Sequence, residues 1–282
     1  PPPCCRQDNG IVGWGEASYG GRDRAAGVAV EEASRYLIGT DPMEMERHWQ
    51  HLYRGPFRRG GPVLMSASAG IDMALWDIKG KALGVPVYQL IGGKCREKVR
   101  AYGGGATPPW VEYGQPGSDK GVEDLVPFLE QWDAEEWAAS LPDWSGEPHC
   151  PTWDGFTCHK VCYLPACMVA GVEKPIVLNA CVAAFAALRK KVGDGVDLAM
   201  DLHGRASPAT ARALVAKLAP YDPMFIEEPI LGDDLPTLVN LQNLSTVPIV
   251  SRHDTAGVLD LGFGQQLPRV DSSPQRACRV ER

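Results

Sequence analysis

Two short apolar runs in the second half of the chain each end in a carboxylate. Asp197-Leu-Ala-Met-Asp201 and Met224-Phe-Ile-Glu227 have the form of β-strands buried on both faces, apolar until the chain leaves the core. Between them, Ser207 is placed to cap a helix and Pro208 suits its first turn. Ala211, Leu214, Val215 and Leu218 then fall on one face. The order strand, helix, strand predicts a parallel pair joined by a right-handed crossover. Asp201 and Glu227, 26 positions apart, would leave the C-terminal ends of neighbouring strands. Another 26 positions lead to His253, which closes the run Val247-Pro-Ile-Val-Ser-Arg-His253 after a helix over 235–244 begun by Asp233 or Asp234. Units of equal period predict that Asp201, Glu227 and His253 converge. Core packing does not call for such a charged cluster, and a divalent cation would compensate it.

The first part of the chain has a different rhythm. Gly10-Ile-Val-Gly-Trp-Gly reads as a strand entering a glycine-rich loop, and helices are expected over 24–38 and from Asp41-Pro42 to about Leu52. The clearest helix spans 62–83. Leu64, Ala67, Ile71, Ala74, Leu75, Ile78 and Ala82 form its stripe, and Gly84 ends it. A strand followed by helices predicts a separate α+β domain over 1–97, with 1–9 foreign to the fold or disordered. The second domain, 98–282, would open with the strand Lys98-Val-Arg-Ala-Tyr102. Residues 104–152, rich in Gly, Pro, Trp and acidic groups, read as an irregular insertion with one short helix over 122–132. A strand over 155–161 places Lys160 near its end, a helix follows over 182–191, and 254–282 stays unplaced.

Composition narrows the function classes. Of 282 residues, 44% are hydrophobic and 22% charged, which fits a soluble globular protein. A net charge of −7 argues against nucleic acid as the main partner. No apolar run reaches membrane-spanning length, so the expectation is a cytoplasmic protein without a membrane partner. Nine cysteines at irregular spacings read as reduced thiols. Cys150, Cys158, His159, Cys162 and Cys167 depart from the paired spacing of a zinc knuckle.

Several motifs resemble the enolase superfamily in its mandelate racemase/muconate lactonizing branch. Asp201-Leu-His203-Gly-Arg205 and Phe225-Ile-Glu227-Glu228-Pro229 are similar to the metal-ligand strands of its sugar-acid dehydratases, the galactonate dehydratases most of all. Tyr53-Arg-Gly-Pro-Phe-Arg-Arg-Gly-Gly-Pro62 and Gly70-Ile-Asp-Met-Ala-Leu-Trp-Asp-Ile-Lys-Gly-Lys81 carry the same likeness. The resemblance implies a truncated or incomplete (β/α) TIM-type barrel preceded by an α+β capping domain, whose loops at 16–21 and 53–61 would close over the barrel mouth. It also implies a lyase that removes water from a galactonate-like sugar acid by alpha-proton abstraction and enediolate stabilisation.

In that scheme Mg2+, or Mn2+ or another divalent metal, sits on Asp201 and Glu227, with His253 at the third-ligand position. That family has a Gly-Glu pair where this chain has Arg252-His253. A nitrogen ligand there would tilt preference away from Mg2+. His203, two residues past Asp201 and so facing the same way, is the general acid. Lys160 is an electrostatic helper. Arg205, Arg54, Arg58 and Arg59 would bind the substrate, and members of the family often form symmetric homo-oligomers. The family's later strands carry a His–Asp pair that nothing after Arg252 matches. Two alternatives stay open: a racemase or other acid-sugar dehydratase on the same scaffold, and a catalytically inactive homologue that binds metal or a sugar acid.

Overall fold

The computed structural model describes residues 4–6, 9–104, 106–115, 117–141, 156–165, 173–232 and 234–251. The chain divides into two compact units, Pro1–Val99 and Arg100–Arg282.

The first unit opens with strand β1 (Cys4–Arg6), antiparallel to β2 (Val12–Trp14), with Cys4 opposite Trp14. Residues 4–6, expected to fall outside the fold, therefore have a ladder partner. Helices α1 (Asp23–Leu37), α2 (Met45–Arg54), α3 (Pro62–Leu83) and the short α4 (Val87–Leu90) follow. The glycines of the first motif let β2 lie directly on α3. A Cβ on Gly13 would overlap the Ala74 carbonyl, and one on Gly15 the Gly70 carbonyl. Asp77 accepts from the Trp14 amide at 2.9 Å, and Lys81 donates to the Val12 carbonyl at 2.8 Å, which fixes that contact. Of the predicted α3 stripe, Ala67, Ile71, Ala74, Leu75 and Ile78 are buried, while Leu64 and Ala82 at its ends are exposed. Gly84 ends the helix in the left-handed conformation, as a C-terminal glycine does.

Among the described residues the second unit holds five strands: β3 (Gly103–Gly104), β4 (Cys158–Val161), β5 (Asp197–Asp201), β6 (Ile226–Glu227) and β7 (Ile249–Val250). All pair in parallel in the order β3-β4-β5-β6-β7. Neighbours in sequence are neighbours in space, joined after β4 by α7 (Pro175–Val192), α8 (Pro208–Leu218) and α9 (Leu235–Leu244). This is a partial (β/α) barrel. Leu198 and Met200 of β5 share one core with Cys181, Phe185 and Leu188 of α7 and Leu214 and Leu218 of α8. By strand alternation Ala199 and Asp201 face the other way, into the barrel side of the sheet.

The caps follow the expected chemistry. Ser207 accepts from the Thr210 amide at the start of α8, and Asp234 from Thr237 at the start of α9. Glu173 adds to the first of these, accepting from the Ser207 amide and both hydroxyls. Burial pushes its carboxyl up, and those three bonds outweigh that and hold it below the usual range.

Four local expectations need correction. The first strand of the sheet is Gly103–Gly104, opposite His159–Lys160, and not Lys98 to Tyr102. Arg100 instead turns its side chain to Thr157 and Asp197 at the entry edge. Helix α7 begins at Pro175, earlier than 182, because Val177, Leu178 and Cys181 extend its buried face. The span after Gly104 is only partly irregular. It forms a 3-10 turn at Pro109–Glu112, α5 (Leu125–Leu129) and α6 (Ala134–Ser140), bound to the core through Trp110, Trp137 and Tyr163. Finally, the equal period stops at β6. Asp201 is in register with Glu227, but Glu227 is in register with Val250. A 3-10 turn at Ala219–Tyr221 lengthens the connection after α8, whereas α9 runs into β7 without one.

Candidate active site

Lys160, Asp201 and Glu227 meet at the C-terminal ends of β4, β5 and β6. Lys160 Nζ donates to Asp201 Oδ2 and to Glu227 Oε2, each at 2.7 Å. The three side chains are 8%, 6% and 6% exposed. A charge buried this far is tolerated only when paired. Burial alone would push the Asp201 carboxyl up, but bonds from His203 and Lys160 outweigh it and hold it down to about 2. The Lys160 ammonium is kept charged on the same balance: burial disfavours it, and the two carboxylates reverse the sign. The Tyr102 ring lies 5.5 Å from the same nitrogen, within cation–π range.

His203 forms the outer edge. Its Nε2 lies 3.2 Å from Asp201 Oδ2, and its backbone amide donates to Oδ1 of the same carboxylate at 3.2 Å. Its Nδ1 lies 3.3 Å from Cys162 Sγ. The hydrogen bond to Asp201 and then that to Cys162 raise the imidazole to about 10 against the effect of burial, so the ring is an imidazolium at neutral pH. His203 has φ 52° and Glu228 φ 45°, the left-handed region that non-glycine residues seldom adopt. Both stand just past a site strand, held by bonds from the Gly204 amide to the Glu228 carbonyl and from the Glu228 amide to the Val250 carbonyl. Strained backbone fixed in this way is a common feature of functional sites.

The other sequence candidates are spread out. Arg205 donates to the Leu164 carbonyl at 2.8 Å, next to the β4 end. Arg54 closes α2, and Arg58 and Arg59 lie in the loop after it. All three are exposed and belong to the first unit. His253 lies outside the described residues, as do Cys150 and Cys167. Cys158 is buried, and burial pushes its thiol up to about 11, which makes it a core residue.

Sequence reasoning missed the pairing of Cys162 with His203 and the reach of Lys160 to Glu227. The signal for the first was present: Cys162 is two positions past Lys160 and so shares its face.

Two hard carboxylate oxygens converging on one cationic centre suit two ligands of a divalent cation. Among the described residues no group of three or more His, Cys, Asp or Glu side chains is arranged to hold a metal. No helix of the described residues is long and apolar enough to cross a membrane.

Residues 5–92 match the mandelate racemase/muconate lactonizing enzyme N-terminal domain, and residues 153–260 match the enolase C-terminal domain-like family. The chain belongs to the mandelate racemase/muconate lactonizing branch of the enolase superfamily. Among relatives in that branch, the D-galactonate dehydratase of Ralstonia pickettii is 39% identical over 262 residues, 90% of this chain and 60% of that protein. The D-galactonate dehydratase of Pectobacterium atrosepticum is 40% identical over 86% of this chain and 55% of its own. The chain thus spans about 60% of the length of the curated relatives it matches.

Solved structures agree. An enolase superfamily member from Salmonella Typhimurium has TM-score 0.68 at 27% identity, covering 88% of this chain and 61% of that one. The 3,6-anhydro-D-galactonate cycloisomerase from Zobellia galactanivorans has TM-score 0.63 at 26% identity, over 88% and 58%.

Proposed function

We propose that this chain derives from and acts as a sugar-acid dehydratase, removing water from a galactonate-like acid. The observation that carries the reading is the convergence of Asp201, Glu227 and His203 at adjacent strand ends, in a chain similar to D-galactonate dehydratases. Asp201 and Glu227 would hold a divalent cation, Mg2+ or Mn2+. When bound, it supplies positive charge for the enediolate that forms once the alpha proton leaves.

His203 holds a proton at neutral pH and is 41% exposed, so a departing hydroxyl can reach it. Asp201 fixes the ring through Nε2 and Cys162 through Nδ1, so protonation and orientation are set together. Arg205 spends one donor on Leu164 and keeps others for the substrate carboxylate. Arg54, Arg58 and Arg59 would serve in substrate recognition. His253 would serve as the third ligand, and the protein would act in the cytoplasm as a homo-oligomer.

The test is exchange of the alpha proton of D-galactonate in D2O with Mg2+ or Mn2+, followed by NMR beside an Asp201→Asn control. Exchange or dehydration that the control abolishes supports the lyase. A folded protein giving no exchange with either metal removes the dehydratase reading and leaves a protein that binds without turnover.

A further inference from the structure

We infer that Lys160 is a tethered stand-in for the divalent cation: its ammonium clamps Asp201 and Glu227 together in the metal-free chain and must leave before a metal enters. The inference rests on the reading of Asp201 and Glu227 as metal ligands and adds what controls their occupancy.

Lys160 starts on β4, adjacent to β5 but one strand removed from β6. Strands lie about 4.8 Å apart, so its side chain must cross β5 to touch Glu227. What it crosses is Ala199, the residue in register with it. Ala199 shares a face with Asp201, and its methyl leaves room for the lysine stem. A larger residue at 199 would block the crossing.

The ammonium ends equidistant from the two carboxylates, 2.7 Å from each, and the side chain is almost closed to water. A metal on the same two oxygens and this nitrogen cannot share the space, and two cations there would repel one another. Lys160 therefore lowers the apparent metal affinity by the fraction of molecules in which the site is free. A site open in about one molecule in ten loses about tenfold. In return the metal-free chain avoids two uncompensated buried carboxylates.

The test uses the full chain and Mn2+ as probe. Calorimetric titration should show Lys160→Met binding Mn2+ about tenfold tighter than the native chain. In the native chain, acylation of the Lys160 amine, read by peptide mass spectrometry, should rise with Mn2+ along the binding isotherm. If Lys160→Met does not fold, the acylation series decides alone. Equal or weaker binding by a folded Lys160→Met, or labelling that stays flat or falls as Mn2+ binds, overturns the inference. Asp201→Asn separates the two readings. If it abolishes Mn2+ binding while Lys160 of the native chain stays protected at Mn2+ saturation, only the role of Lys160 fails. If it binds Mn2+ like the native chain, the metal site itself fails and takes this inference with it.

Discussion

The inner cluster of Lys160, Asp201 and Glu227 and the outer pair of His203 and Cys162 share one carboxylate, yet they answer to different physics. The inner side chains are 6–8% exposed and the His203 side chain 41%. Inside, an ion pair is held by geometry, and losing one partner strands a buried charge. Outside, solvent screens the charges, so the pair matters less for folding and more for where a proton sits. A single residue, Asp201, serves as half of a structural clamp through one contact and as the partner of a titrating group through another. Depth in the sheet decides which.

The largest test of that contrast is Lys160→Met. It leaves Asp201 and Glu227 facing each other and should cost about 3–5 kcal/mol, read as a lower urea midpoint. His203→Gln should move the midpoint far less. Equal losses from the two variants would abolish the distinction between inside and outside.

A second test is the pH dependence of thermal stability. His203 is raised in the folded chain, so its stabilisation is complete below its unfolded value of about 6.5 and is lost as pH rises through about 10. Asp201 is depressed, so its stabilisation is present above about 3.9 and is lost as pH falls through about 2. Cys158 and Tyr163, pushed up by burial, also titrate on the alkaline side, and His159, pushed down to about 4, on the acid side. The difference between the native chain and His203→Gln isolates the outer pair. It should shrink between about pH 6.5 and 10, while the His203→Gln curve keeps an acid arm of its own, since Lys160 still holds Asp201. A difference that does not shrink over that range would mean the imidazolium is not what Asp201 stabilises.

The inner carboxylates could be read from sequence because a strand buried on both faces advertises its exit: Asp201 and Glu227 each follow an apolar run. His203 followed by alternation. Helix α3 was legible to its last residue, since its stripe, Pro62 and Gly84 agree. The bridge from Lys160 to Glu227 was not, because it depends on which residue of β5 lies beside Lys160, and register is a property of pairs of strands. The equal spacing that fitted β5 and β6 missed the register of β7 for a related reason. A 3-10 turn such as Ala219–Tyr221 changes the count without leaving a hydrophobic period. The aromatic residues after Gly104 looked irregular because Trp110, Trp132 and Trp137 pack on one another and on Tyr163 from separate short elements.

The smallest effect belongs to Cys162. Asp201 is the main cause of the raised imidazole and Cys162 the second. Cys162→Ala removes a partner at 3.3 Å while leaving both bonds from His203 to Asp201 in place. The His203 titration midpoint, followed by NMR of the ring carbons, should therefore move down from about 10 and stay above 6.5. The urea midpoint should hardly change, because an exposed contact of this kind contributes little to folding. A fall to about 6.5 would make the thiol, not the carboxylate, the group that keeps the proton on the ring. Asp201 would then belong wholly to the inner cluster, and the outer pair would be a separate device that shares only its position at the end of the sheet.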